Sequence, residues 1–257
     1  MTKINLIALT TVIAISTTAF AQSTDSEAVK LEKDNSAQVL LGLNVASASI
    51  NDAGGIRSDS LVFQPFTEIS LNTFDPFPII LSTWANYATE RYGAVMQGSC
   101  FTEIDFAIGT GYQFDNGISA AINLTTYQYP NVEGAKSEEL IKTYASYCYS
   151  DLITLGLNGE FFVTGANDGG YNFIPYTTVT TELTKDVSVS LYGHMSYVHP
   201  DGDSKAGWAA YKLKAQIGFQ NFYTFVEYYG QINDEIYTDE VHDDKNIVFG
   251  VGYSISL

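Results

Sequence analysis

The chain has 257 residues and a formal net charge of −17, with 18 tyrosines and 15 phenylalanines although only 16% of its residues are charged. The acidic balance argues against a nucleic-acid partner, because phosphate binding needs a basic face. A soluble acidic protein usually has more charge and fewer aromatic residues, whereas membrane interfaces favour amphipathic aromatic side chains.

The first 21 residues have the pattern of a secretory signal peptide. Lys3 supplies a positive charge, residues 4–15 form an apolar run, and residues 19–21 (Ala-Phe-Ala) match the small-x-small cleavage pattern. A membrane anchor is the weaker alternative, because the run is too short to span a bilayer. Residues 22–37 are polar and lack a sustained period, which predicts a flexible periplasmic leader.

Residues 38–257 alternate apolar and polar side chains, the period of strands with one apolar face. No window in this region is apolar enough for a transmembrane helix, so a membrane form would cross with strands. Pro65 predicts a bulge or an interrupted ladder in the second strand. Turn signals divide the region into twelve predicted strands: 38–50, 61–74, 79–90, 101–114, 118–129, 138–149, 152–163, 173–183, 187–198, 208–219, 222–230 and 246–257.

The connections between these predicted strands alternate in length. Those after odd-numbered strands have about eight to fifteen residues and those after even-numbered strands about two to four, the sorting typical of outer-membrane barrels with short periplasmic turns and longer extracellular loops. The sequence therefore predicts an all-β fold, a 12-stranded antiparallel transmembrane β-barrel over residues 38–257. A soluble periplasmic β-sandwich is the alternative. The loop lengths, including the loop predicted at 51–60, suggest no large plug.

Ionisable residues within the strands lie on the parity opposite the more apolar face. A Lys or Arg facing lipid at the midplane would cost about 2–4 kcal/mol, whereas a lumen can hydrate or pair it. This set would form either a narrow aqueous path with a mild cation preference or a paired network that braces a closed barrel. Tyr192 shares the lumen parity. The predicted pore-lining residues are Glu68, Glu103, Asp105, Lys142, Glu160, Glu182, His194, Lys212, Lys214 and Glu227.

Small residues on the lumen parity predict free space inside the barrel. They are Gly42, Ala107, Gly109, Gly111, Gly156, Gly250 and Gly252.

The two cysteines are predicted to be free thiols. A disulfide is the default for an exported pair, but the predicted strands place Cys100 at the loop end of the fourth strand and Cys148 at the turn end of the sixth. Opposite rims of a barrel are too far apart for the Cα spacing of a disulfide.

An enzyme would need one of the three histidines, because barrel hydrolases use His with Ser or Asp. His194 faces the predicted lumen and His199 begins a loop. His242 lies in the acidic loop 231–245, where an Asp/His pair or a divalent-cation site competes with the simpler interpretation of a solvated loop. G-x-S-x-G, C-x-x-C and phosphate-loop motifs are absent from the sequence. We predict no enzymatic activity, no cofactor and no metal site.

Several motifs resemble the TorF-like family of short bacterial outer-membrane porins, and the similarity runs through most of the chain after the signal peptide. They are LVFQPFTEISL at 61–71, Trp84-x-Asn86, TEIDFAIGTGYQF at 102–114, and YQYPN at 127–131 followed by SEEL at 137–140. The resemblance implies a porin-like barrel in the outer membrane of a Gram-negative-type bacterium, passing small solutes or ions by passive diffusion. A non-conducting structural or adhesive barrel is the alternative.

The last predicted strand has two expected roles. It can pair with the first strand and so leave the sheet without an edge. Its alternating residues Tyr253, Ile255 and Leu257 resemble the C-terminal signal read by the outer-membrane insertion machinery, which usually ends in Phe. The expected partners are thus outer-membrane lipid and lipopolysaccharide, the insertion machinery and small solutes. The sequence leaves the oligomeric state open.

Overall fold

A computed structural model describes residues 37–52, 55–72, 76–90, 100–132, 134–201, 205–233, 236 and 247–257, apart from the side chains of Ile56 and Cys100. The signal peptide, the leader up to residue 36, His242 and most of the acidic loop 231–245 lie outside the described residues and stay predictions. In the part of the chain that is described, no helix could span a membrane.

The described residues form fourteen strands. The strands are β1 (Ala37–Ala46), β2 (Ser49–Ile50), β3 (Ile56–Ser58), β4 (Val62–Leu71), β5 (Ile79–Ala88), β6 (Cys100–Gln113), β7 (Ile118–Gln128), β8 (Glu138–Ser150), β9 (Ile153–Phe162), β10 (Tyr171–Thr184), β11 (Val187–His199), β12 (Gly207–Phe219), β13 (Phe222–Gln231) and β14 (Ile247–Ser256).

Twelve of these strands close into one antiparallel barrel in the order β1-β14-β13-β12-β11-β10-β9-β8-β7-β6-β5-β4. β14 closes the ring against β1, with Val251 opposite Val45. The last residue extends this seam, since the Leu257 amide donates to the Val39 carbonyl at 2.9 Å and the Val39 amide donates to a Leu257 carboxyl-end oxygen at 3.2 Å. Closure leaves no unpaired strand edge. The predicted 12-stranded barrel and its closing pair of strands are confirmed.

The connections sort onto two ends of the barrel as predicted, although the connection from β4 to β5 has seven residues, 72–78, and not the predicted two to four. Two residues join β8 to β9 and β12 to β13 at one end, which we call the short-turn end, whereas residues 163–170 connect β9 to β10 at the long-loop end. At the short-turn end, Gly117 has a φ of 83°, the left-handed conformation that a tight hairpin after Asp115-Asn116 requires.

The outer surface of the barrel wall is apolar. Leu124 is 60% exposed and Phe249 61%, whereas the inward-facing Lys212 is only 1% exposed. Soluble proteins show the reverse distribution, and a lipid-facing barrel shows this one. The exposed apolar residues of the strand centres are Phe106, Ile108, Ile122, Leu124, Leu155, Leu157, Leu191, Met195, Leu213, Ile217, Phe249 and Val251.

Aromatic residues flank this apolar band at both ends. At the short-turn end they are Phe77, Tyr112, Phe114, Tyr147, Tyr149, Phe219, Phe222 and Tyr253. At the long-loop end they are Tyr87, Phe101, Phe161, Tyr171, Phe173, Tyr197, Trp208 and Tyr228. Phe101 and Tyr112 lie eleven residues apart on β6, which at ~3.3 Å per residue and a ~45° tilt separates the two girdles by about 25 Å, the height of an outer-membrane apolar band.

The first loop departs from the prediction. The strand expected over 38–50 ends at Ala46, and β2 pairs with β3 as a short hairpin where a loop was expected at 51–60. The loop-forming residues themselves make this hairpin, because the Gly55 amide donates to the Asn51 side chain and the Asn51 amide to the Gly55 carbonyl, both at 2.8 Å.

The interruption predicted at Pro65 is present. The pairing of β4 with β5 keeps one register but skips Gln64 and Pro65, because proline has no N–H to donate.

The cysteines lie at opposite ends of the barrel, as predicted. Cys148 lies near the end of β8 as an exposed free thiol, and its Sγ lies 3.1 Å from the Ser150 carbonyl. The backbone of Cys100 begins β6 at the long-loop end, and its side chain lies outside the described residues.

Candidate functional site in the barrel interior

Buried ion pairs connect neighbouring strands inside the barrel. Lys142 of β8 lies opposite Glu160 of β9, with Nζ 2.9 Å from the carboxylate. Lys214 of β12 lies opposite Glu227 of β13 at 3.2 Å, and Tyr229 donates to the same carboxylate at 2.7 Å. The alternation of side chains along each strand directs these residues inward, and the cross-strand register places each lysine beside a carboxylate. Such pairing is needed because an unpaired charge in a buried interior is costly.

The β2/β3 hairpin folds into this interior rather than away from it. We call residues 49–52 and 55–58 the inward hairpin. At its tip, the Asp52 carboxylate pairs with Lys212 at 3.0 Å. The Asp52 carbonyl accepts hydrogen bonds from His194 Nε2 at 3.1 Å and from the Ser196 hydroxyl. These contacts fix one side of the hairpin to the wall formed by β11 and β12.

The other side of the inward hairpin is held by Arg57. Its guanidinium forms an ion pair with Glu103 on β6, with Nη2 3.0 Å from Oε1, and lies 5.3 Å from the Trp84 ring on β5. Nearer the base of the hairpin, Gln64 donates to Ser49 at 3.1 Å and to Asn86 at 2.9 Å. The hairpin is thus attached by charged and polar groups to several strands.

Apolar side chains fill one side of the interior next to the inward hairpin. Ile50 packs against a cluster of buried residues from β1, β4, β5, β13 and β14. The cluster consists of Ala46, Ala48, Val62, Ala88, Tyr223, Phe225, Tyr229 and Val248. It carries no charge itself, but charged groups border it, since Lys214 Nζ lies 4.2 Å from the Phe225 ring and Tyr229 donates to Glu227.

The prediction of free space beside the inward small residues is wrong at five of the seven. A Cβ at Gly250 would overlap the Phe225 ring, because the ring lies flat against the glycine of the neighbouring strand. Cross-strand pairing explains this, since an aromatic side chain covers the gap that its glycine partner leaves. The pairs are Gly42 with Phe66, Gly109 with Asn123, Gly156 with Tyr176, Gly250 with Phe225 and Gly252 with Tyr223.

Neutral polar groups dominate the wall from β7 to β10. Asn158 Oδ1, Thr125 Oγ1 and Thr178 Oγ1 are buried and have no hydrogen-bond partner in the protein. Buried groups of this kind are normally satisfied by water. This wall also carries the Lys142–Glu160 ion pair.

The structure places the predicted pore-lining residues in three positions. Glu103, Asp105, Lys142, His194, Lys212, Lys214 and Glu227 are all buried inside the barrel, and Glu160 is half-buried beside Lys142. Glu68 lies half-buried near the short-turn end of β4. Glu182 shares the inward parity but lies exposed at the short-turn rim of β10. The last two are not brought together with the others.

Sequence reasoning missed Asp52, Arg57 and Glu138. The first two lie in the loop predicted at 51–60. Glu138 begins the strand predicted at 138–149, where it is buried and accepts hydrogen bonds from Tyr129 at 3.0 Å and Asn167 at 2.6 Å. The available signal was Arg57, an isolated cation in an acidic chain, on a segment with the turn residues Asn51 and Gly55.

The described histidines form no nucleophile–base pair. His194 bonds to the Tyr192 hydroxyl at 2.9 Å and to the Asp52 carbonyl, and His199 stacks on Tyr171 with ring centroids 4.5 Å apart. Among the residues with coordinates, no three His, Cys, Asp or Glu side chains are grouped so that they could hold a metal ion.

No protein-family model and no curated protein sequence match the chain. Among solved structures, it is similar to the NanC porin, with 9% identity over 84% of this chain and 100% of that one and a TM-score of 0.53. It is also similar to the KdgM porin, with 12% identity, coverage of 85% and 99%, and a TM-score of 0.47. An outer membrane channel from Pseudomonas putida F1 has 9% identity, coverage of 86% and 94%, and a TM-score of 0.49. The likeness is one of fold, that of outer-membrane barrels.

Proposed function

We propose that the chain is a porin-like channel of the bacterial outer membrane for passive diffusion of small solutes or ions. One observation carries the proposal. The closed barrel has an apolar outer band between two aromatic girdles, and its interior holds charged and polar side chains. A barrel with an apolar outer surface and a polar interior is suited to lipid outside and an aqueous path inside.

Three further assignments belong to this proposal. The signal peptide at 1–21 exports the chain, the short-turn end faces the periplasm, and the longer loops face the exterior beside lipopolysaccharide. On the resemblance of the short motifs quoted above, we also propose that the chain is a member of the TorF-like family of porins.

A mild cation preference is part of the proposed function. The described interior contains four cationic side chains, Arg57, Lys142, Lys212 and Lys214, each paired with a carboxylate. Asp105 and Glu138 are buried there as well, and no described cation lies within ion-pair distance of either. The surplus of acids favours passing cations. A reversal potential measured across a planar bilayer in a KCl gradient tests this, and anion preference would contradict it.

A non-conducting structural barrel is the second candidate, and the ion pairs favour it. Lys214 and Glu227 each have a side-chain exposure of only 4%, as expected of a network that braces a closed interior. Liposome swelling separates the two candidates. Proteoliposomes should swell in isotonic solutions of small sugars or amino acids at rates that fall with solute size, whereas protein-free rates for every solute and ion would favour the structural barrel.

A further inference from the structure

We propose that the inward hairpin is the constriction of the channel, and that Asp52 and Arg57 on it set the ion selectivity. The inference rests on the proposed channel function and names the element that would control it. The contacts of the hairpin, the filling of one side of the barrel and the charges at its two attachments each support it.

The hairpin crosses the interior from wall to wall. Arg57 is paired with Glu103 on β6, and Asp52 is paired with Lys212 on β12. In the closed order of twelve strands, β6 and β12 lie six strands apart and therefore on opposite sides of the ring. A segment attached at both points divides the cross-section of the barrel in two.

The two parts of the cross-section differ in how much apolar side-chain packing fills them, although buried polar residues such as Asn44 and Glu227 lie on the β13 to β5 side as well. The part bounded by β13, β14, β1, β4 and β5 holds the apolar cluster on which Ile50 packs. The part bounded by β7 to β10 holds the unpaired polar atoms of Thr125, Asn158 and Thr178 and the Lys142–Glu160 pair. The passage therefore runs between the hairpin and the β7 to β10 wall.

The charges of the hairpin retain access to solvent. The side chains of Asp52 and Arg57 are 24% and 27% exposed, whereas their wall partners Lys212 and Glu103 are 1% and 2% exposed. An ion in the passage thus meets the hairpin charges first. Each of them neutralises a buried wall charge of opposite sign, so removing either one exposes the passage to the field of its former partner.

Substitutions at the two attachments should change the potassium-to-chloride permeability ratio in opposite directions. Asp52→Asn removes a negative charge beside Lys212 and should lower the potassium-to-chloride permeability ratio. Arg57→Gln removes a positive charge beside Glu103 and should raise it. For an ion roughly 8 Å away at an effective dielectric constant between those of protein and water, each shift is about tenfold.

The experiment measures reversal potentials of the full chain in planar bilayers under a KCl gradient. The matched controls are Asp115→Asn and Lys185→Gln, which remove one charge of each sign from exposed turns at the short-turn end. The proposal expects opposite shifts for Asp52→Asn and Arg57→Gln and none for the controls. Equal shifts in hairpin and control variants, or shifts of one sign in both hairpin variants, would overturn it. Heat-modifiable gel migration shows that each variant is folded.

A deletion variant tests the constriction independently of charge. Ser49 and Ser58 are cross-strand partners, so an Asn-Gly turn can replace residues 50–57 and close the shortened hairpin. Single-channel conductance should rise above that of the wild type. A conducting wild type with unchanged conductance in the deletion variant would overturn the constriction and leave the channel function standing. A silent wild type whose deletion variant conducts would contradict an open channel and support the hairpin as the obstruction, and silence of both would overturn both proposals.

Discussion

At the scale of single residues, the interior is held together by charges that cannot be separated cheaply. Lys214 and Glu227 face each other on β12 and β13, both with nearly no access to solvent. Tyr229 donates to the same carboxylate. Removing one member of such a pair leaves an uncompensated buried charge, while replacing both with apolar residues often costs little.

We therefore expect Glu227→Ala to lower the free energy of unfolding by about 3–5 kcal/mol. The double variant Lys214→Met/Glu227→Leu should be close to wild type, because no buried charge is left without a partner. Urea unfolding of the protein in lipid vesicles, followed by tryptophan fluorescence, gives both values. Equal losses in the single and double variants would show that the pair is not buried as described.

The aromatic rings that cover inward glycines make a second prediction at this scale. A methyl group at Gly250 would overlap the Phe225 ring, so Gly250→Ala should destabilise the barrel by about 1–3 kcal/mol through overpacking. Phe225→Leu should restore part of the loss by removing the ring. The control is Gly193→Ala, where the nearest atom is the flexible Cδ2 of Leu213 at 3.2 Å. Equal costs at the two glycines in the same unfolding assay would contradict the packing.

At the scale of elements, the strands show how much a local pattern can predict. Alternation along one strand, as in Ile104, Asp105 and Phe106, depends only on neighbours in sequence, and so the twelve barrel strands, the sorting of turns and the inward charges were predictable. The inward hairpin was not, because its two ion pairs join residues 46 and 160 positions apart. The same applies to the glycines, since the side chain that covers each one lies on another strand.

The outward face of β12 provides a test of the membrane-facing surface. Leu213 is the central residue of the strand, lies between two inward lysines and is 55% exposed. Leu213→Lys should cost about 2–4 kcal/mol in lipid, because the charge would lie at the bilayer midplane. Thr180→Lys, on an inward and half-buried position of β10, and Leu213→Ala are the controls. A cost for Leu213→Lys no larger than that for Leu213→Ala would contradict a lipid-facing wall.

The closing strand makes a prediction about assembly. Leu257 pairs its backbone with Val39 at the seam, and the residue is 70% exposed. Deleting Leu257 should reduce the fraction of protein in the outer membrane, and Leu257→Phe should retain it. Fractionation of cells, with heat-modifiable migration to score folded barrel, measures this. Normal insertion of the truncated chain would count against the C-terminal signal.

At the scale of the whole molecule, the barrel reverses the polarity of a soluble protein, because its outer surface is apolar and its interior is charged and polar. The barrel exposes apolar side chains between two aromatic girdles and buries its lysines, carboxylates and amides inside. The inward hairpin then divides the interior into a part that holds the apolar cluster and a part bounded by β7 to β10. This arrangement joins the residue-scale pairs and the element-scale hairpin into one proposed passage through the outer membrane.

Single-channel recording of the wild-type protein in a planar bilayer tests this function most directly. The barrel with its polar interior predicts discrete current steps, and a salt gradient should give a reversal potential that shows cation preference. A bilayer that contains folded, heat-modifiable protein and carries no current above the protein-free baseline would contradict the channel.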